Sequence, residues 1–511
     1  MSKKTGGESR TVNALRNVVF NLGYQVVNTV VNIILPPLII GKFGSATNGL
    51  ISTIKQIMGY IQLVGAGISE STVVSLYKPL AEGDRPRISS IYRAVGKAFN
   101  LAGILFSVAS VLVAFIYPLF VGDELDYWFI VKMVLVLSIA GMSEFFAIGK
   151  YRSLLTADQR VFVINLSQMF GAIVSTVLTV VLIRLDCNVL LVQLAASLAY
   201  VCRIFVLSIY VRKKYRYLDK TAPPDPSAIS RRKAATIHQL ASLIIFGSQS
   251  LIIASFCGFA EASVYSVYNL IFSGINTLLS TMSSAMLASM GNLMATDDAA
   301  RVRRVYSIYE FVYYVLMFSC YGTALAAIIP FVNIYTAGIT DVEYIRPRVI
   351  ILFAILGICN CLRVPGGTMI NAKGHYKETQ YRALIETGIC VVGQLIFVGP
   401  LGIEGVLLGT ILSSVYRSTD VILYCNRRVL GQPVWVSVRR IVISLLPVIG
   451  FGCIMLVDVP ADNYFMWILY AFLAFVAALI VVLLVNFVFE RKTIAFGFGY
   501  VKEILKGKKR S

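Results

Sequence analysis

Charge is scarce in this chain of 511 residues: 14% of it is charged, 57% is apolar, and the mean hydropathy is +0.77. So little polar surface cannot cover several water-soluble cores, which excludes a soluble multidomain enzyme. Histidine is nearly missing, with two residues, and the nine cysteines are an odd set spread along apolar segments. Cys359 and Cys361 form a C-x-C pair without the further ligands that zinc needs, so the thiols read as inert, with no metal site and no cofactor. Collagen-like, disordered and disulfide-framework classes fail on the same composition, which includes 27 Tyr and 29 Phe. Acids are also few, 26 against 46 Lys and Arg, leaving a formal charge of +20.

What the chain has in quantity is long apolar runs. Fourteen segments are expected to span a bilayer, at 17–40, 47–76, 94–120, 127–149, 161–183, 189–211, 236–258, 263–291, 306–331, 349–370, 383–400, 404–426, 441–457 and 464–489. Each is long enough to cross a hydrocarbon core of about 30 Å at about 1.5 Å per residue. The fold class expected is therefore an all-α polytopic membrane protein.

The basic residues follow the topology. Of the 46 Lys and Arg, 37 fall at the termini or in even-numbered connections, four in odd-numbered ones (Lys42, Arg184, Arg346 and Arg348) and five inside spans. Because basic loops stay in the cytoplasm, both termini are expected there, in a multi-pass protein of the plasma (inner) membrane. The same pattern replaces a nucleic-acid reading: clusters such as Arg212–Arg216 and Lys506–Arg510 adjoin span ends, where anionic lipid at the cytoplasmic face is the ready partner. Val18–Ile40 is too long for the apolar core of a cleavable signal.

The longest hydrophilic connection divides the chain into an N-terminal lobe (1–211), a cytoplasmic linker (212–235), a C-terminal lobe (236–430) and two appended spans with a basic tail (431–511). Both six-span sets open with two helices around a short outer turn holding Phe43 or Phe259, suggesting a repeat of about 220 residues.

Polar side chains recur at helical spacing. Asn13, Asn17, Asn21, Gln25, Asn28 and Asn32 share a face of span 1; Asn48, Ser52, Lys55, Gly59, Gln62, Ala66 and Ser69 share one of span 2; Asn269, Ser273, Asn276, Ser280 and Ser283 share one of span 8. Single residues of this kind serve as interhelical contacts, worth about 0.6 to 2 kcal/mol each. Stripes running nearly the depth of the bilayer are expected to line a wet cavity, since lipid would leave their amides unpaired.

Five cations lie inside spans: Lys55, Lys132, Arg203, Arg363 and Arg417. Five acids match them in number: Glu70, Glu144, Glu310, Glu386 and Asp420. A mid-bilayer cation costs about 2.5 to 3.5 kcal/mol on insertion scales, so each needs an anion or water. Arg417 and Asp420 are three residues apart and can pair on one helix. Lys132, beside Trp128, can snorkel outward. Lys55 has no acid within a turn and sits on a polar stripe, so it is the expected contact for an anionic substrate, with Arg363 and Arg417 as further candidates. Asn28, Asn32, Gln62, Asn269 and Asn276 are the expected polar contacts. Glu70, Glu144, Glu386 and Asp420 are candidates for ion coupling.

Arg363-x-Pro365, Ile370-Asn371-Ala372, the run Gly374 to Gln380, Glu386 and Tyr416-Arg417-x-x-Asp420 form a more specific constellation, with Tyr77 to Glu82 and Ala157 to Arg160 earlier in the chain. In these segments the sequence resembles Wzx-type polysaccharide flippases, from the oligosaccharide-transporter branch of the superfamily that also holds the multidrug-and-toxin extruders and the lipid II flippase. The resemblance runs from about residue 10 to 430. It departs from the family at His238-Gln239 and Gln249, where members often carry His-Lys and an acid, and in span 8, which lacks a cation.

The resemblance implies two six-helix lobes forming a V-shaped cavity, and movement of undecaprenyl-diphosphate-linked oligosaccharide to the outer leaflet by alternating access. It implies no enzymatic step. Partners would be the lipid-linked oligosaccharide itself and, around it, a polysaccharide polymerase and glycosyltransferases. The alternatives are another exporter of the superfamily, either cation-coupled drug efflux or lipid II flipping, and a membrane-embedded polymerase.

Overall fold

The computed structural model describes residues 10–121, 124–219, 221–225, 247–296, 299–455 and 463–491, and among them it is all helix with no strand. The helices are α1 (Arg10–Phe43), α2 (Ser45–Glu82), α3 (Arg85–Ile116), α4 (Tyr127–Ser143), α5 (Gly149–Ala157), α6 (Val161–Arg184), α7 (Val189–Val201) and α8 (Arg203–Lys214). After an unlabelled helical stretch at 247–256 come α9 (Phe259–Thr296), α10 (Ala299–Tyr335), α11 (Pro347–Leu362), α12 (Val364–Ala372), α13 (Tyr376–Tyr424), α14 (Trp435–Ile454) and α15 (Tyr464–Phe489). Polar caps set several of the starts. The carboxylates of Asp84 and Asp126 accept from the backbone N–H of Arg87 and Phe129 at 3.1 and 2.9 Å, and Asn188 and Asn463 do the same for Leu191 and Met466.

Ten helices among the described residues are long and apolar enough to cross a bilayer. One of these, Glu378–Leu430, holds two of the expected spans, because the chain reverses at Gly402. Gly402 has φ 56°, which a glycine adopts without a Cβ penalty. The helices on either side then run back together, and Gln394 Nε2 donates to Thr410 Oγ1 at 2.8 Å across the pair. Three expected spans are instead interrupted helices. Span 4 is α4 and α5 joined through a π-helical turn at Glu144–Ile148, and span 10 is α11 and α12 broken at Arg363, just before Pro365. Span 6 likewise breaks at Cys202 between α7 and α8.

The chain forms two compact units, Met1–Ser263 and Val264–Ser511. The first holds α1 to α8, the helical residues 247–256 and the first turn of α9. Residues 247–263 join it because they pack on α2. Asn48 donates to Ser263 Oγ at 2.8 Å, Thr53 Oγ1 lies 3.2 Å from Ser250 Oγ, and a Cβ added to Gly49 would lie 1.7 Å from the Phe259 carbonyl oxygen. In the second unit α10 is the central helix, burying Tyr306, Tyr309, Tyr313, Tyr314, Phe318 and Tyr321 along its length, with α14 and α15 packed against it. Trp467 of α15 donates to the Ala327 carbonyl at 2.8 Å.

Of the expected linker, residues 215–225 are tied to the start of α3: Asp219 N–H donates to Ser89 Oγ at 3.1 Å and Arg93 to the Ala222 carbonyl at 2.9 Å. Residues 212–214 end α8, and 220 and 226–235 lie outside the described residues, as do His238, Gln239, the run Lys506–Arg510 and the side chains of Asn13, Ala66 and Glu70.

Candidate functional site

Between Leu50 and Gln62 the helix α2 buries most of its apolar residues and leaves several polar ones accessible, the reverse of a helix that faces lipid, although Thr53 is buried too. Leu50, Ile51, Ile54, Ile57 and Met58 are at most 7% exposed, while Lys55 and Gly59 are exposed and Ser52, Gln56 and Gln62 are half-buried. Among the described residues Lys55 has neither an ion pair nor a hydrogen bond. Space is open beside it, since a Cβ added to Gly59 would meet nothing within 4 Å. Gln62 is turned toward α4, where its Nε2 lies 2.9 Å from the place a Gly141 Cβ would take.

The other stripes divide between contact and exposure. Asn17 clamps the turn before α6, donating to the Gln159 carbonyl at 2.9 Å and accepting from Phe162 N–H at 2.8 Å. Asn21, Gln25 and Asn32 are exposed and Asn28 half-buried, but α1 also exposes Val18, Val19, Leu22, Val26 and Val30, so its polar face is not set apart by exposure. On α9, Asn269, Ser273 and Ser280 are exposed. Asn276, by contrast, holds α9 to α10 and α11: its Oδ1 accepts from Tyr321 OH at 2.9 Å and from Cys361 Sγ at 3.0 Å. Ser283 accepts from Tyr309 OH at 2.9 Å.

The intramembrane arginines are paired. In the first unit the π-helical turn carries Glu144, whose two oxygens each lie 2.9 Å from an arginine, Arg152 of α5 and Arg203 of α8. The Arg203 guanidinium also stacks 4.0 Å from the Tyr200 ring centre. In the second unit Arg363, at the break between α11 and α12, bonds Glu386 and donates to Asn360 Oδ1 at 3.2 Å. Arg417 reaches Glu386 at 3.4 Å and Asp420 at 3.0 Å, and Arg382 completes the cluster on Asp420. The expected pairing of Arg417 with Asp420 is present, widened to five charges on two hairpin helices and a helix break. Lys132, as expected of a snorkelling side chain, is exposed beside the exposed Trp128.

A third cluster escaped the sequence reading, which counted Arg439, Arg440 and Glu490 among loop charges. Arg440 is 3% exposed and bridges Glu310 at 2.8 Å and Glu490 at 2.9 Å; Arg439 also pairs with Glu490. Glu310 accepts further from Ser437 Oγ at 2.6 Å and Tyr306 OH at 3.0 Å. The signal that would have found it is positional: Arg440 opens one apolar segment and Glu490 closes the next, so a hairpin brings them to one level.

The motif segments that carried the family resemblance mostly fasten the fold. Asp158 accepts from Arg160 Nε at 2.8 Å and from Tyr215 OH at 2.5 Å, and His375 Nδ1 lies 3.0 Å from Tyr424 OH. All nine cysteines are free. Cys361, Cys390 and Cys425 are buried, Cys453 is exposed and the others are half-buried. Among the described residues no group of three His, Cys, Asp or Glu side chains could hold a metal ion.

Helices in this order build a known transporter architecture. The lipid II flippase MurJ, in an inward closed conformation, matches with a TM-score of 0.64 over 93% of this chain and 100% of that chain, at 14% identity. A multidrug resistance MATE family transporter of the MOP superfamily, inward-facing, matches with a TM-score of 0.61 over 83% of this chain and 96% of that one, also at 14% identity. A MOP superfamily transporter from Pyrococcus furiosus, reported with a binding pocket of reverse polarity, gives 0.53 over 82% and 94% at 13% identity. At such identities the likeness is one of fold, and it makes the chain an all-α polytopic membrane protein with the MATE and MurJ architecture. No protein-family model matches the chain, and no curated protein does.

Proposed function

We propose that the protein is a transporter that flips an undecaprenyl-diphosphate-linked oligosaccharide across the cytoplasmic membrane by alternating access between two lobes, as a Wzx-type flippase. The observation that carries this reading is Lys55, an accessible cation without an ion pair on the polar face of a helix that buries its apolar residues. A diphosphate offers the fixed negative charge such a cation lacks, and exposed amides and hydroxyls such as Gln25, Asn269 and Ser273 suit a glycan. The shared fold with a protein described as a lipid II flippase supports a substrate that is itself lipid-linked.

A cation-exchanging drug exporter would call for an acid free to titrate. Among the described side chains, Glu144, Glu310, Glu386 and Asp420 are all ion-paired, and a structural part for them is the simpler account; the side chain of Glu70 lies outside the described residues. In this reading both termini are cytoplasmic, glycosyltransferases build the substrate and a polymerase consumes the product.

The test is glycan export in cells carrying Lys55 variants. Because a lysine here supplies field more than planar geometry, Lys55→Arg retains more export than Lys55→Ala, and Lys55→Glu abolishes it. All three variants keep near-normal abundance in membranes. Full export by the alanine variant at normal abundance overturns the assignment and moves it to Arg363 and Arg417.

A further inference from the structure

Apart from Lys55 and the three charge clusters, the first unit has a cavity of about 470 Å³ where the ends of α3, α5 and α8 meet the returning segment 215–219. Five cations line it: Arg93 and Lys97 from α3, Lys150 from α5, Arg212 from α8, and Arg216 after it. Asp219 is the one acid among the lining residues, so the wall carries a net charge of about +4 at neutral pH. Among the described residues none of the five cations is ion-paired. Asp219 is itself engaged, accepting from the Thr221 N–H and hydroxyl at 2.7 Å each, bonds that hold its carboxyl below the usual range.

The cavity is a built feature rather than a chance meeting of basic loops. Tyr215, 5% exposed, forms part of the wall and is fixed by its bond to Asp158. The segment after it is held by Asp219 N–H on Ser89, by Arg93 on the Ala222 carbonyl, by Ser90 on the Pro223 carbonyl and by Arg85 over the Tyr217 ring at 5.2 Å. Without the first residues of the connection folded back, Arg216 and Asp219 would not face α3 at all. Five like charges around one cavity repel one another, and a bound anion would relieve that repulsion beyond what water screening does.

The surroundings name the source of that anion. One turn beyond Lys97 and Asn100, α3 exposes Leu101, Ile104, Leu105 and Val108, each more than half exposed, and α8 exposes Phe205 and Ile209 before Arg212. On both helices a lipid-facing apolar surface gives way to the basic cavity within a turn. That is the arrangement of a lipid whose acyl chains lie on α3 and α8 while its head group enters the cavity.

We infer that this cavity binds the phosphate head group of an anionic membrane lipid, at a site separate from the polar face of α2. The chemistry recognised is a phosphate ester, and a soluble phosphate could supply it as well as a lipid.

The experiment is native mass spectrometry of the full chain in detergent, titrated with phosphatidylglycerol, with phosphatidylcholine and with inorganic pyrophosphate. The test variant is Lys97→Gln with Arg212→Gln and Arg216→Gln, all exposed positions. The control carries Lys506→Gln, Lys508→Gln and Lys509→Gln in the tail. The wild type should bind phosphatidylglycerol in preference to phosphatidylcholine. The test variant should lose affinity on the order of a hundredfold, about fivefold per charge removed, and the control should lose none. Unfolding midpoints without lipid should be equal in all three proteins.

Equal binding by the test variant and wild type, or no preference for phosphatidylglycerol, overturns the proposal. Saturation by pyrophosphate with no lipid binding also overturns it, since the site would then take a soluble phosphate.

Discussion

Lys55 on α2 and Arg417 on α13 are both cations within long helices, and they meet opposite surroundings. Arg417 has Glu386 at 3.4 Å and Asp420 at 3.0 Å, within a cluster that also holds Arg363 and Arg382. Lys55 is exposed and has no acid to pair with among the described residues. Each carries the same order of insertion cost, about 2.5 to 3.5 kcal/mol. In the cluster carboxylates offset that cost and the charges become braces between helices. At Lys55 it is left for water or a ligand anion to offset. Charges in this protein therefore divide into those that hold helices together and those kept available, and the two kinds should respond to mutation in opposite ways.

The sharpest contrast comes from removing a brace. Arg440→Ala would leave Glu310 and Glu490 buried without their shared partner, and breaking a buried pair costs about 3 to 5 kcal/mol. We expect α14 and α15 to lose their hold on α10, visible as a large fall in membrane abundance and in the detergent unfolding midpoint. Glu386→Ala should come next, at about 3 kcal/mol, since Arg363 and Arg417 would face each other with only Asp420 to share. The double variant Glu386→Gln with Arg417→Gln should recover part of the loss, which a substrate-binding role for Arg417 does not predict. Asn276→Ala should cost about 1 kcal/mol, because Tyr321 loses its acceptor, whereas Asn269→Ala, at an exposed position, should leave the midpoint unchanged. Smallest in stability is Lys55→Ala, with a shift under about 0.5 kcal/mol. A fall in abundance for Lys55→Ala as large as that of Glu386→Ala would erase the distinction.

Eleven of the fourteen span positions were legible because length and apolarity decide them, and the reversal at Gly402 showed as a three-residue gap between 400 and 404. The helices α2 and α9, which hold expected spans 2 and 8, are long but not among the ten apolar enough to cross, and 236–246 of span 7 lie outside the described residues. The Arg417 and Asp420 pair was legible because three residues make almost one helical turn. Arg363 and Glu386 are 23 residues apart on different helices, and Arg440 and Glu490 are 50 apart, so neither pairing can be read without knowing which helices touch. Periodicity placed Asn17, Asn276 and Ser283 on polar faces, yet it does not separate a side chain that bonds a neighbouring helix from one that meets water. In the structure all three are bonded to neighbours, while Lys55 and Asn269 on similar stripes are exposed. Charge sums in loops marked Arg212–Arg216 as a basic cluster suited to anionic lipid, but not the cavity it shares with Arg93, Lys97 and Lys150, whose wall exists only because residues 215–219 fold back on α3.

The turn at Gly402 bears on how the chain is made. A Cβ added to Gly409 would lie 2.3 Å from the Gln394 backbone nitrogen, and one on Gly405 would lie 2.0 Å from the Phe397 carbonyl oxygen, so the two helices meet back to back with almost no loop between them. Gln394, fully buried, finds Thr410 only in its partner helix. Released alone from the insertion machinery, the first helix would carry that amide into lipid with only Cys390 Sγ, 3.2 Å away on its own helix, to accept from it. Entry of the two helices into lipid as one hairpin would satisfy that amide from the start, and a tag, epitope or glycosylation site introduced at this bend would separate the two helices that share it.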